Sequence, residues 1–187
     1  DWWVQQDALQ YCCQHPKSVL AQEVIQAAMQ HDNATLRVMA VRGLEKLGTK
    51  KEMWMLLLKE AAMHDRSAKV RDAALEVLSK SKMDTSYLTV FQDSLDDTSP
   101  TVVNTALQAY LEACEDEKAV ATICQRFESA SQVMWWCTLM DHYGTMRWKD
   151  KYPWVIQVLQ AVQEHWQGNE VLEAFVSYVL QLEDATI

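Results

Sequence analysis

Between Asp65 and Leu78 the apolar residues Val70, Ala73, Ala74, Val77 and Leu78 recur three and four positions apart, while Lys69, Arg71, Asp72 and Glu76 fill the gaps. That period places one apolar stripe on an α-helix, and Asp65 or Ser67 ahead of it suits a helix start. The same pattern returns along the chain. A β-branched residue or Leu followed four positions later by a smaller or apolar one occurs at Val4/Ala8, Leu36/Ala40, Val70/Ala74, Val102/Ala106, Val133/Cys137 and Val171/Phe175. The first members are spaced by 32, 34, 32, 31 and 38 residues. One turn further on, a third column reads Cys12, Leu44, Leu78, Tyr110, Asp141 and Val179, apolar except at Asp141. A period near 33 means that one supersecondary unit is stacked repeatedly, each burying its apolar face on its neighbours.

Breakers and caps divide the chain further. A helix is expected over Trp2 to Cys13, with Val4, Ala8, Leu9 and Cys12 inward, but with no first helix before it. His15-Pro16 ends it, and Ser18 to Gln30 follows with Leu20, Val24, Ile25 and Ala28 inward. Its partner runs from Ala34 to Leu47 and stops at Gly48. Further pairs are expected at Glu52 to Met63 with Ser67 to Ser79, Tyr87 to Leu95 with Pro100 to Ala113, and Lys118 to Phe127 with Gln132 to Tyr143. Pro100 sits at the first helical position, where its missing N–H costs nothing. A polar linker, Thr145 to Lys151, precedes the last pair, Pro153 to Trp166 with Glu170 to Leu182. The longest step falls across this linker, so the last pair, 149–183, is expected at a different angle.

Asp65 followed six residues later by Arg71, with Val70 before the Arg and Ala73-Ala74-Leu75 after it, resembles the second helix of a HEAT repeat. The resemblance implies an all-α, right-handed α-α superhelix of about five helix pairs preceded by one orphan helix, forming a single domain over 1–187. It also implies a ladder of turn Asp and helix Arg between neighbouring units, for which Asp32 with Arg37 and Asp65 with Arg71 are the candidates. The positions equivalent to Arg71 elsewhere are Gln5, Val103, Met134 and Leu172, so the ladder is partial. In such repeats the helices starting near Ala34, Ser67, Pro100, Gln132 and Glu170 line the concave side, where partners are sought. Helical phase offers Arg42, Glu45, Glu76, Asn104 and Gln108 as its solvent-facing residues.

A second likeness spans Thr85 to Val158. The order Tyr87-Leu88, Phe91, Leu95, Asp97-Thr98-Ser99, Val102-Val103, Ala106-Leu107, Ala119, Phe127-Glu128, Tyr143-Gly144 and Tyr152-Pro153-Trp154 is similar to the C-terminal helical domain of bacterial aminopeptidase-N-type zinc metallopeptidases. That likeness implies an accessory domain packed on a catalytic domain and helping to enclose its substrate. The zinc motif of that family, H-E-x-x-H, has no counterpart here, because none of the five His is followed by Glu. No catalytic, cofactor or metal residue is therefore assigned, and the chain by itself is not expected to be an enzyme.

Composition narrows the partners. The 187 residues are 49% hydrophobic with 4 Gly and 3 Pro, which suits a helical core. A formal net charge of −9 repels a phosphate backbone, so nucleic acid is not an expected partner. No apolar run reaches the roughly 18 residues a membrane helix needs, so no membrane insertion is expected. The expected partner is a protein or peptide, or a preceding domain of the same polypeptide, since the Trp2-Trp3 opening reads as the cut edge of a longer chain. Trp2, Trp3, Trp135 and Trp136 are interaction candidates, because adjacent helix positions differ by about 100° and both rings of a pair cannot face one narrow core. For Trp135-Trp136 the competing reading is a helix buried on two sides. His31-Asp32 and His64-Asp65 could act as acid and base or bind metal, but turn formation explains them with fewer assumptions. The five cysteines contain no C-x-x-C pair, and Cys12, Cys124 and Cys137 read as small buried apolar residues.

Overall fold

The computed structural model describes residues 2–47, 52–81, 87–163 and 168–183. Among these, eleven α-helices form and no strand. The chain divides into two compact units, Asp1–Ala113 and Cys114–Ile187. The helix stop expected at Gly48 and the helix end expected at Trp166 lie outside the described residues.

The first unit holds α1 (Trp2–Gln14), α2 (Val19–Ala28), α3 (Ala34–Leu47), α4 (Glu52–His64), α5 (Ala68–Lys80), α6 (Leu88–Ser94) and α7 (Pro100–Ala113). Each second helix packs against its own first helix (α3 on α2, α5 on α4, α7 on α6), and the second helices pack on one another in the order α1, α3, α5, α7. This is the stacking that the 33-residue period requires: an all-α helical repeat. The aligned column Leu36, Val70, Val102 is buried, as is its companion Ala40, Ala74, Ala106. Small residues at the second position let neighbouring helices approach to about 8–10 Å. Gly43 takes this furthest, since a Cβ there would lie 2.7 Å from Cys13 Sγ and 3.4 Å from Ile25 Cγ2. α3 is thus pressed against α1 and α2 together.

The first two helices depart from the expected phase. Val4 and Ala8 are exposed and Cys12 half-buried; the inward residues of α1 are Leu9 and Cys13. In α2, Leu20 and Val19 are exposed, and Ala21, Ile25 and Met29 turn inward. For α1 the cause is local, since its main neighbours are α2 and α3. The face that its counterparts bury against a paired first helix has nothing against it among the described residues.

The second unit holds α8 (Glu117–Glu128), α9 (Val133–Thr145), a 3-10 turn (Lys149–Lys151), α10 (Tyr152–Gln163) and α11 (Gly168–Glu183). Asp116 caps α8, its carboxylate accepting from the N–H groups of Lys118 and Ala119. α9 packs on α8 and along α11. Its buried residues are Leu139, Met140, Tyr143 and Gly144 rather than the expected Val133 and Cys137, which are half-buried. A Cβ on Gly144 would meet Tyr178 Cα at 3.1 Å, so glycine is what admits α11 at this crossing.

The expected linker after α9 is structured. Arg147 takes the left-handed conformation at φ 57°. The Arg147 N–H donates to Gly144 O at 3.0 Å and the Trp148 N–H to Tyr143 O at 2.9 Å. This is the Schellman pattern, in which the last carbonyls of a helix are satisfied by the reversing chain, with arginine where glycine is usual.

Candidate interaction surface

The turns come first, because they fix the second helices. Asp65 Oδ1 accepts from the Ser67 N–H at 2.8 Å, and Asp97 Oδ1 from the Ser99 N–H at 2.7 Å. Each carboxylate thus ties down the start of the following helix. Both oxygens of each carboxylate also accept from an arginine one repeat earlier. Arg37 donates from Nε and Nη2 to Asp65 at 2.7 and 2.8 Å, and Arg71 does the same to Asp97 at 2.6 and 2.8 Å. The remaining guanidinium nitrogen reaches back to its own turn, from Arg37 to the His31 and Asp32 carbonyls and from Arg71 to the Asp65 carbonyl.

The ladder therefore runs forward between repeats, and its rungs are Arg37–Asp65 and Arg71–Asp97, not Arg37–Asp32. Asp65 and Asp97 stand five residues before Val70 and Val102, and five before Leu36 is His31. His31 Nδ1 accepts from the Asn33 N–H at 2.9 Å, the same bond the two aspartates make. His31 is thus the counterpart of Asp65, and the two His-Asp pairs are offset by one residue rather than equivalent. Asp32 points its carboxylate into solvent, 3.3 Å from Arg66.

Arg37 is buried and the other rung side chains are largely shielded, with side-chain exposures of 5% and 11% for Arg37 and Asp65 and 13% and 12% for Arg71 and Asp97. The Arg71 hydrogen bonds hold the Asp97 carboxyl below the usual carboxylate range against the opposing effect of burial, and the Ser99 N–H adds to the lowering. For Asp65 burial is the largest influence and pushes upward, but Arg37 and the Ser67 N–H outweigh it and the net shift is down. No rung follows Asp97 at the α7 position, which is Val103.

With the second helices held in register, their polar residues form one row across α3, α5 and α7. Arg42 of α3 lies 3.5 Å from Glu76 of α5, and Glu45 of α3 lies 3.4 Å from Lys80 of α5. Thr105 of α7 donates to Asp72 of α5 at 2.6 Å, and Gln108 donates to Glu112 along α7 at 3.2 Å. The structure thus pairs Arg42 with Glu76 and Glu45 with Lys80, with Gln108 exposed on the next helix and Asn104 half-buried beside it. The row carries both signs of charge, and its first two pairs are more than a third exposed.

The tryptophans separate. Trp2 and Trp3 are exposed, their rings 3.9 Å apart. Trp135 and Trp136 are half-buried, and the Trp135 ring meets Phe127 edge-on at 5.1 Å within the second unit.

A polar cluster inside the second unit escaped the sequence reading. Glu128 Oε1 accepts from Tyr143 Oη at 2.6 Å and from Lys151 Nζ at 2.7 Å, while the Trp154 indole donates to the Glu128 carbonyl at 3.4 Å. The Tyr143 ring stacks on Trp148 and meets Trp154 edge-on. Burial raises the Tyr143 hydroxyl strongly, so it stays a hydrogen-bond donor, and pushes the Cys124 thiol up to about 11. Burial also raises Cys13 and Cys137. Thiols held protonated are poor nucleophiles, which agrees with a packing role for these cysteines. Burial lowers His142, favouring its neutral ring. Among the described residues no group of three His, Cys, Asp or Glu is arranged to hold a metal ion, and no helix is long and apolar enough to cross a membrane.

The fold defines a helical-repeat class, and residues 21–112 match the family described as HEAT repeats. The matched segment runs from α2 to α7 and includes both rungs. No curated protein matches the chain.

Proposed function

We propose that the chain is a non-catalytic helical-repeat scaffold that binds a protein or peptide along the second helices of its first unit. The observation that supports this most is the mixed-charge row from Arg42 and Glu45 through Glu76 and Lys80 to Gln108, exposed on three helices that buried rungs hold in register. A repeat stack presents such a row as a continuous surface, and exposed charges of both signs select partners by complementarity rather than by area.

The test inverts the row without unpairing it. The double variant Arg42→Glu, Glu76→Arg keeps an ion pair and reverses its field, so proteins recovered with the parent from its source cells should be lost with this variant. They should be retained by the control Asp32→Arg, Arg66→Asp, which reverses the exposed pair at the turn. Equal recovery with both variants refutes the assigned face.

A second reading is an accessory domain of a larger aminopeptidase-like metallopeptidase, packed on and helping enclose its catalytic domain. Exposed Trp2, Trp3, Val4 and Tyr11 favour a neighbour on α1, though the repeat match carries nothing about a peptidase. The parent reading frame decides between them: H-E-x-x-H upstream supports the accessory domain, and further repeats support the scaffold.

A further inference from the structure

We infer that the cleft between α1 and α3 seats an acidic side chain, Asp or Glu, carried by an extended peptide segment of the partner. The inference deepens the scaffold reading and rests on it. The cleft holds about 200 Å³, with Gln10 and Gln14 of α1 on one wall and Arg42 and Lys46 of α3 on the other. Its floor is Cys13 set against Gly43, both buried. Small-molecule sites enclose roughly 300–1,000 Å³, so this cleft is on the scale of a single side chain. Its place follows from register. The 32-residue step from Val4 to Leu36 sets Gln10 beside Arg42 and Gln14 beside Lys46, and the same alignment carries Arg42 on to Glu76 and Gln108. Both walls are second helices that pack on each other, so the cleft continues the row already described.

The sign of the occupant follows from charge. Among the described residues no carboxylate lines the cleft, while two cations do, in a chain of net charge −9. Arg42 is shared with Glu76 at 3.5 Å, but Lys46 is exposed and has no ion pair among the described residues. Burial raises the Cys13 thiol and the Lys46 charge opposes that rise, which agrees with an ammonium standing near the floor. A carboxylate here accepts charge-assisted bonds from Lys46 and Arg42, and the exposed carboxamides of Gln10 and Gln14 offer further donors. A free anion gains little from an exposed cation in water, so the occupant needs a backbone that continues along the row. Neighbouring helices stand about 8–10 Å apart and an extended chain rises about 3.3 Å per residue, so every third residue of the segment meets a new helix.

The experiment passes pools of short peptides, blocked at both ends, over the immobilised full chain. The flanks are random and the central residue is fixed as Glu, Gln or Lys. The parent should retain the Glu pool about fivefold better than the Gln and Lys pools, against the long-range attraction that a negative chain exerts on Lys. Lys46→Glu should abolish that preference. Lys69→Glu, which makes the same charge change at an exposed position of α5, should keep it, and unchanged melting of both variants verifies the fold. Equal retention of the three pools overturns the acidic seat and leaves the scaffold reading standing. Retention of no pool overturns the peptide seat, while the inverted-row variants still judge the scaffold on its own partners. A Glu preference that survives Lys46→Glu, or that Lys69→Glu removes equally, overturns the assignment to this cleft.

Discussion

Replacing Asp97 by Ala removes the carboxylate that two Arg71 nitrogens hold at 2.6 and 2.8 Å. The Arg71 side chain is only 13% exposed, and its guanidinium keeps one partner, the Asp65 carbonyl at 2.8 Å. Leaving a buried charge without its counterion costs about 3–5 kcal/mol. Losing the turn bond to the Ser99 N–H adds about 1 kcal/mol. Against a domain stability of about 5–15 kcal/mol, that is a large share of what holds the repeats together. Arg71→Met removes the charge itself, so the double variant should be less damaged than Asp97→Ala alone. Urea unfolding followed by circular dichroism gives the total, and amide exchange over 68–113 localises it. The pH dependence has a definite sign. A carboxyl whose folded pKa is depressed contributes stability that is fully present above its unfolded value of about 3.9 and is lost as pH falls through the folded value. The parent should therefore lose stability at acid pH below about 4, and Asp97→Ala should lose less there. A cost under about 1 kcal/mol, the range of exposed ion pairs, would show that the rung does not hold the repeats together.

Other perturbations should give graded results. Arg42→Ala breaks a pair exposed by 63% and 41% and should change urea stability by at most about 0.5 kcal/mol, after discounting for solvent screening. Ala74→Asp puts an unpaired carboxylate at a fully buried position and should prevent cooperative melting, as followed by calorimetry. Gly43→Ala sets a methyl 2.7 Å from Cys13 Sγ and should cost about 1–3 kcal/mol in urea unfolding, with partial recovery when Cys13→Ala removes the sulfur. Arg147→Gly relieves a left-handed residue and should raise the thermal stability of the second unit by about 1 kcal/mol.

Helix existence was legible because caps and stripes agree. Ala34–Leu47 and Pro100–Ala113 are found with the boundaries that the sequence predicts. Phase was legible only where a helix has neighbours on both sides. Val70 and Val102 are buried because a paired helix covers them, and the same residue type at Val4 is exposed for want of one. The rungs were half legible: Arg37 and Arg71 stood out, but their partners lie 28 and 26 residues ahead, where no local spacing points. The signal that would have found them is the shared offset of Asp65 and Asp97 before Val70 and Val102. Lys151 read as part of a solvated linker, because nothing near it in sequence announces Glu128 on α8 as its partner. Helical phase alone placed Arg42, Glu45 and Gln108 on the exposed side, but Asn104 is half-buried and Lys80, the partner of Glu45, was not foreseen.

The most direct measurement of the scaffold reading is site-specific photo-crosslinking in the source cells. A photoreactive residue is placed at Glu76 or Gln108 on the second-helix row, and at Asp93 on the exposed side of α6 as the control. The row should capture the same protein from both of its positions, and that protein should be missing from Asp93. Capture of one partner from all three positions, or of unrelated proteins from Glu76 and Gln108, would contradict a single binding surface along the second helices.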